Sequence, residues 1–218
     1  EMTKRKQSNW KNKKRFVINN SFDWEVASMI GAIIGDIVGS RFEFVEDDYR
    51  GKDFTLFTNE CRFTDDSLMT LSVAKALFLS KGNYDNLGEL TTQIMKDVAK
   101  PYPGIGWGAM FYKWLFERSV PYNSYGKGAG MRISPVGWVA EAEEEVKRLS
   151  KKVTEISHNH PDGIKGAEAI AMAVYLARIG KDKAYIRERM SEYYPKLKDK
   201  YFAIKWLMGN YGYDDWGA

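Results

Sequence analysis

Helical periodicity constrains the fold of this chain more than any other feature of its sequence. From Val26 onward, apolar residues return about every three to four positions in one segment after another, the spacing of an amphipathic helix. The alternation of a half-buried strand is scarce, and residues 54–58 are the best candidate for one. We therefore predict an all-α fold, with helices over 65–81, 87–99, 107–116, 136–156, 164–179 and 184–193.

A segment rich in small residues opens the predicted domain. In VASMIGAIIGDIVGS, residues 26–40, Gly31, Gly35 and Gly39 lie four positions apart and share one face of a helix. In a membrane, glycines at this spacing let two helices approach closely, but the apolar run over 27–35 is too short to span a bilayer. The segment therefore predicts a core helix that packs tightly through its glycine face.

Composition and charge favour one soluble domain in the cytoplasm. The 218 residues are 44% hydrophobic, enough for a sizeable core, and the single cysteine, Cys61, forms neither an intrachain disulfide nor a thiolate metal site. Basic residues crowd the first fifteen positions without the aromatic or glycine-rich pattern of a nucleic-acid-binding arm. We predict a solvated, disordered extension over 1–25, a domain over 26–218, no membrane segment and no nucleic-acid partner.

The sequence FTDDSLMT, at 63–70, places Thr64 directly before two carboxylates at a predicted helix start. Threonine is a favoured N-cap, and Asp65 and Asp66 would stabilise the first turn through the helix dipole. A hydroxyl and two carboxylates are also oxygen ligands of the kind that Mg²⁺ prefers. The two functions are compatible, and the local sequence leaves both open.

A glycine-rich segment follows in PYNSYGKGAGMRISP, residues 121–135. Gly126, Gly128 and Gly130 alternate there, so backbone N–H groups could converge on a phosphate, although a plain flexible loop fits the pattern equally well. The segment has neither the Gly-Lys-Ser/Thr ending of a Walker A loop nor a dinucleotide G-x-G-x-x-G.

Two further positions carry groups that titrate or bind ligands. His158 and His160 are the only histidines, and their spacing excludes a shared helix face; a ligand-facing His158 at a helix entry is the better interpretation than a zinc pair. Glu43 lies between Phe42 and Phe44, where partial burial would raise its pKa toward use as a general base; an ordinary exposed glutamate is the alternative.

Taken in order, these segments resemble the ADP-ribosylglycohydrolase family. The resemblance covers about 29 to 180 and implies an all-α domain that hydrolyses the bond between C1″ of ADP-ribose and a modified protein side chain. The matching stretches are MIGAIIGDIVGSRFEF at 29–44, FTDDSLMT at 63–70, YPGIGWGAMFYKWL at 102–115, PYNSYGKGAGMRISPVGW at 121–138 and SHNHPDGIKGAEAIAMAVYLAR at 157–178.

The resemblance also implies roles for individual residues. Thr64, Asp65 and Asp66 would be ligands of a centre of two Mg²⁺ ions, with Mn²⁺ as an alternative. Glu43 would shield the site or act in catalysis, and Asp65, Asp66 or Glu43 would be the base for an attacking water in an oxocarbenium-like reaction. The implied substrate-binding residues are Gly106, Gly108, Asn123, Ser124, Tyr125, Gly126, Gly128, Met131 and His158.

The sequence departs from the family pattern in two places. The family's remaining metal ligands come from a Gly-Gly-Asp-x-Asp-Thr/Ser segment, which this sequence lacks; Asp214 and Asp215 do not have its spacing. Lys127 stands where the family loop usually carries asparagine. We therefore expect a domain without its C-terminal helices, which self-association or a second polypeptide would complete. The alternative is a non-catalytic ADP-ribose-binding module.

Overall fold

Helices are the regular secondary structure of the part of the chain that the structure describes. A computed structural model describes residues 21–43 and 54–195, with side chains over 30–43 and 54–195. Within these ranges it has no β-strand, which confirms the all-α prediction. The α-helices are α1 Ser21–Gly39, α2 Asp65–Ser80, α3 Leu87–Ala99, α4 Ala109–Phe116, α5 Ser134–Val139, α6 Glu143–Thr154, α7 Pro161–Arg178 and α8 Lys183–Tyr193, and two short 3-10 helices span Ser40–Phe42 and Lys127–Arg132.

Two of the predicted elements were wrong. Residues 54–58 run as irregular chain with a bend and have no neighbouring strand within the described ranges. The single helix predicted over 136–156 is two helices, because the chain is extended at Ala140 and Ala142 between α5 and α6. The side chain of Arg178 stabilises this break by donating to the carbonyl oxygens of Trp138 and Ala140, which therefore need no partner in a continued helix.

The glycine face of α1 also differs from its prediction. A Cβ atom added at Gly31, Gly35 or Gly39 would meet no described atom within 4 Å, and all three glycines are exposed. Val38, near the end of the helix, is nevertheless buried, and α1 contacts α2 and α5. The prediction of a tightly packed glycine face was therefore wrong for the residues that the structure describes, although α1 does join the core.

The boundaries of the predicted extension and domain stay predictions. Helix α1 begins at Ser21, inside the segment that we assigned to the basic extension. Residues 1–20, 44–53 and 196–218 lie outside the described part of the chain, and Asp214 and Asp215 are among them.

The core forms where α2 and α7 pack against the other helices. Helix α2 contacts α1, α3 and α5, while α7 contacts α5, α6 and α8. None of the described helices combines the length and the apolar character needed to cross a bilayer. Large apolar side chains that are almost fully buried come from six helices and from Ile133, directly before α5: Met69, Val73, Leu87, Met95, Trp114, Leu115, Ile133, Val136, Leu149, Met172 and Leu176.

Helix α6 shows why a strongly charged segment folds here. Glu143, Glu144 and Glu145 occupy its first turn, and Lys151 and Lys152 occupy its last, so both ends complement the helix dipole. Its apolar residues recur on one face and are buried against α3 and α7. This packing fixes the C-terminal end of α6. Ser157 and His158 follow closely after that end.

Candidate active site

The start of α2 is built as the sequence predicted for an N-cap. Thr64 has extended backbone angles, and its Oγ1 accepts a hydrogen bond of 3.2 Å from the backbone N–H of Asp66. Asp65 and Asp66 occupy the first turn, where the positive end of the helix dipole stabilises carboxylates. The capping function of Thr64 is confirmed, and ligation of a metal by the same three residues stays a prediction.

Asp36 of α1 anchors this helix start, a function that the sequence analysis missed. Its carboxylate accepts from the backbone N–H and the Oγ1 of Thr64, at 2.8 and 2.6 Å. It also accepts from the backbone N–H and the Oγ of Ser67, at 3.2 and 2.5 Å. The available signal was a single charged residue within the segment of small and apolar residues over 26–40. Asp36 fixes the Thr64 side chain and with it the direction in which the first turn of α2 points.

The two carboxylates of that turn are partly buried and repel each other. Burial is the largest cause that raises the pKa of Asp66 to about 6, and repulsion from Asp65 and Asp36 adds to it. Burial also raises the pKa of Asp65, against the hydrogen bond from its own backbone, and Glu43 and Asp36 contribute to the rise. Lys127 acts in the opposite direction on both carboxyl groups. The cluster is therefore short of positive charge.

The donor atoms of this cluster fit a hard cation in part. Two carboxylates and a hydroxyl are the oxygen ligands that Mg²⁺ prefers, and the raised pKa of Asp66 shows that a nearby positive charge would be favourable. Within the described ranges, however, no three His, Cys, Asp or Glu side chains are grouped so as to hold a metal ion. Asp65 and Asp66, with Thr64, thus supply only part of a ligand sphere.

The glycine-rich loop is held against the segment that leads into α7. The backbone N–H of Tyr122 donates to the carbonyl of Ser157 at 3.1 Å, and that of Asn123 donates to Oδ1 of Asn159 at 2.7 Å. Asn123 has a φ of +54°, in the left-handed region that asparagine tolerates better than most residues. These contacts fix the entry to the loop, and Asn159 is a second residue that the sequence analysis missed.

Gly163, in the first turn of α7, allows the loop to lie directly on the helix. A Cβ atom at this position would lie 2.7 Å from the carbonyl oxygen of Ser124 and 3.3 Å from the Cα of Tyr125. The start of an 18-residue helix, with its positive dipole end, therefore lies beside the loop. We also missed this glycine, because a close backbone approach leaves no mark in the local sequence.

Replacing Gly163 by alanine should displace the loop. We expect a loss of about 1–2 kcal/mol in the free energy of unfolding, because overpacking outweighs the better helix propensity of alanine. Hydrogen exchange at the Tyr122 and Asn123 amides should accelerate at the same time. Gly166→Ala is the matched control on the same helix, since its Cβ would lie 3.5 Å from the nearest atom, Tyr194 Oη. Equal stability of the two variants would contradict the prediction.

His158 lies beneath the loop and is only 4% exposed. Burial, together with the nearby Arg132, lowers its pKa to about 3, so the imidazole is neutral at physiological pH. A Cβ atom at Gly128 would lie 3.1 Å from its Nε2. The rings of Tyr122 and Phe111 flank it, with centroids 5.5 and 6.4 Å away. His158 could therefore contact a ligand only through the edge of its ring that lies next to Gly128.

Two further predicted residues, Gly106 and Gly108, lie in the segment that leads into α4. Gly106 has a φ of +106° and Gly108 is the N-cap of α4, and a Cβ at either would meet no described atom within 4 Å. The same segment reaches the start of α2 through an edge-to-face contact of Tyr102 with Phe63, whose ring centroids are 5.6 Å apart.

Residues of the loop itself are divided between exposed and anchored positions. Tyr125 lies against His160, with ring centroids 5.2 Å apart. Ser124 Oγ accepts from the N–H of Gly126 at 3.2 Å. The carbonyl of Met131 accepts from Thr70 Oγ1 at 3.3 Å, which joins the 3-10 helix to α2. The structure therefore brings the loop and the acidic helix start together, with Lys127 of the loop near both aspartates.

Fold and site together define an all-α protein in which an acidic helix start adjoins a glycine-rich loop and a helix N-terminus. The family model described as ADP-ribosylglycohydrolase matches residues 21–213, and the chain belongs to this family.

Curated relatives have low sequence identity to this chain. The chain is 24% identical to ADP-ribosylhydrolase ARH3 of Danio rerio over 206 residues. This match covers 79% of this chain and 53% of the relative. ADP-ribosylhydrolase ARH3 of Homo sapiens is 26% identical over 185 residues, 72% of this chain and 50% of the relative. The Mus musculus protein is 26% identical over 181 residues, 70% and 48% respectively. The chain thus spans about half the length of the curated relatives that it matches.

Proposed function

We propose that this chain belongs to a Mg²⁺-dependent hydrolase that releases ADP-ribose from modified protein side chains by cleaving the glycosidic bond at C1″. Membership of the ADP-ribosylglycohydrolase family supports the substrate class. The single observation that carries the site is the acidic start of α2, where burial and neighbouring carboxylates raise the pKa of Asp65 and Asp66 next to a glycine-rich loop. That arrangement suits a ligand with a diphosphate on one side and a reacting sugar on the other.

The loop and α7 would bind the anionic part of the ligand. Backbone N–H groups between Ser124 and Gly128, together with the N-terminus of α7, are donors that favour a diphosphate. Lys127 adds a positive charge between this loop and the carboxylates. Gly126 and Gly128 permit a ligand to approach the backbone closely. The distal ribose would then extend toward the start of α2.

The carboxylates at the start of α2 would serve the bond-breaking step. Asp65, Asp66 or Glu43 would accept the proton of the water that attacks C1″, and a carboxylate would stabilise positive charge developing on the ribose ring. Asp36 would keep Thr64 and the adjacent acids in place. Mg²⁺, when bound by Thr64, Asp65 and Asp66, would supply Lewis acidity and hold the ribose hydroxyls; Mn²⁺ has similar ligand preferences.

Hydrolysis of an ADP-ribosylated protein tests this function. We expect Mg²⁺-dependent release of ADP-ribose by the chain, and a loss of at least about 100-fold in Asp65→Asn/Asp66→Asn, the scale associated with losing acid–base and charge contributions. Asp97→Asn, an exposed carboxylate on α3, is the control for a general charge effect. Equal release by the chain and by the double variant would contradict the proposal.

A non-catalytic ADP-ribose-binding module is the second candidate. It is favoured by the part-complete ligand sphere among the described residues. Calorimetry would then show ADP-ribose binding without turnover. If self-association completes the site, turnover in the presence of Mg²⁺ should appear as the concentration of the chain is raised. If a second polypeptide supplies the remaining ligands, raising the concentration of this chain alone should not restore turnover.

A further inference from the structure

Arg132 is a buried cation without a carboxylate partner in the described part of the chain. It is 0% exposed, and its Nη2 donates to Ser157 Oγ at 2.7 Å and to the carbonyl of Val153 at 3.5 Å. Its Nε and Nη1 have no hydrogen-bond partner among the residues that the structure describes, and the guanidinium carbon lies 5.2 Å from the centre of the Phe111 ring. Burying a charge without a carboxylate partner costs stability.

The serine next to Arg132 determines which nitrogen of His158 carries a proton. Ser157 Oγ lies 2.8 Å from His158 Nδ1. Arginine has donors only, so Arg132 occupies an acceptor position of the serine and leaves the hydroxyl hydrogen to another group. Among the described residues, Nδ1 is the one acceptor that this hydrogen reaches. Ser157 therefore donates to Nδ1, and the proton of the neutral ring lies on Nε2.

The opposite tautomer is unfavourable in this geometry. A proton on Nδ1 would point at a serine oxygen that already faces a guanidinium, and the buried serine hydrogen would lose its acceptor. Protonation of both nitrogens is also opposed, because burial and Arg132 lower the pKa of His158 to about 3. The ring edge that carries Nε2 faces Gly128, where a Cβ atom would lie 3.1 Å away. The N–H bond on Nε2 is thus directed to the glycine-rich loop.

We propose that Arg132 and Ser157 are positioning residues that hold His158 neutral with its proton on Nε2, so that the ring offers a hydrogen-bond donor to an oxygen of a ligand lying over Gly128. A neutral donor of this kind binds a phosphate or hydroxyl oxygen across a wide pH range. The position of the proton depends on the geometry of this chain alone, whereas ADP-ribose as the ligand rests on the proposed function.

Nitrogen-15 NMR of the labelled full chain tests the position of the proton. Only two histidines are present, and His160→Asn leaves one while keeping a good N-cap for α7. At neutral pH we expect Nδ1 to give the signal of an unprotonated imidazole nitrogen and Nε2 that of a protonated one. Ser157→Ala should shift both signals toward a tautomer mixture, and Ser157→Thr should restore the original pattern. Ser150→Ala, which removes another buried serine hydroxyl, should change neither signal.

Binding measurements connect the tautomer to the ligand. By calorimetry with ADP-ribose we expect Ser157→Ala to bind about tenfold more weakly or worse, the value of one hydrogen bond to a charged group, with recovery in Ser157→Thr. A proton on Nδ1 in the unsubstituted chain, or an unchanged tautomer in Ser157→Ala, would overturn the proposal. A proton on Nε2 in a chain that binds no ADP-ribose would support the positioning of His158 and contradict the proposed function.

Discussion

Replacing Asp36 with alanine is expected to lower the free energy of unfolding by about 3 kcal/mol, because charged hydrogen bonds are worth roughly twice neutral ones and buried donors are left unpaired. The carboxylate accepts four hydrogen bonds, two of them from the backbone at the start of α2. Asp36→Asn should give a smaller loss, since the amide retains one acceptor oxygen. Urea unfolding followed by tryptophan fluorescence measures both changes.

Asp97→Ala is the matched control for this variant. Asp97 is exposed on α3, and its side chain accepts one surface hydrogen bond from Gln93. Its removal should change the free energy of unfolding by no more than about 0.5 kcal/mol. If Asp36→Ala unfolds at the same urea concentration as Asp97→Ala, then Asp36 does not anchor the start of α2.

Gly137→Ala should be at least as disruptive, because Gly137 lies at the closest approach of two helices. A Cβ atom there would be 2.4 Å from the carbonyl oxygen of Ala171 and 2.9 Å from the backbone nitrogen of Tyr175. These are backbone atoms of α7, so a side-chain rotation cannot make room. We expect a loss of about 3 kcal/mol in the free energy of unfolding, the upper end for overpacked cores. Thermal unfolding followed by circular dichroism checks the shift.

Gly35→Ala provides the opposite case within a helix. No described atom would lie within 4 Å of its Cβ, so alanine adds no clash. We expect a gain of about 0.5–1 kcal/mol, because glycine is costly in a helix interior. A strong destabilisation would show that the glycine face of α1 is packed after all, as the sequence pattern had suggested.

The helices could be predicted where local spacing decides them. The predicted helix over 87–99 has the bounds of α3, and the amphipathic segments of α2, α7 and α8 are placed within a few residues. The break between α5 and α6 could not be predicted in this way. Arg178 stabilises it from about 40 residues along the chain, and residues 139–143, where one helix ends and the next begins, contain no proline or glycine.

The candidate site, too, has features that the local sequence predicts and features that depend on residues far apart in the chain. The cap at Thr64 is a local property, because the residue and the amide that it binds are two positions apart. Asp36, Gly163 and Arg132 act on residues distant in sequence, through contacts that only the packed helices create. The family resemblance identified the loop and the acids as parts of one site. The residues that position them became visible only in three dimensions.

The hydrogen bonds of Asp36 have a consequence for the dynamics of the chain. They connect the last turn of the first helix to the first turn of the second, so transient opening of either element breaks the same set of bonds. Amide protection in both should therefore be lost together, as one cooperative unit, under weakly denaturing conditions. A ligand that engages the acidic turn would then slow proteolysis of a helix that it never touches.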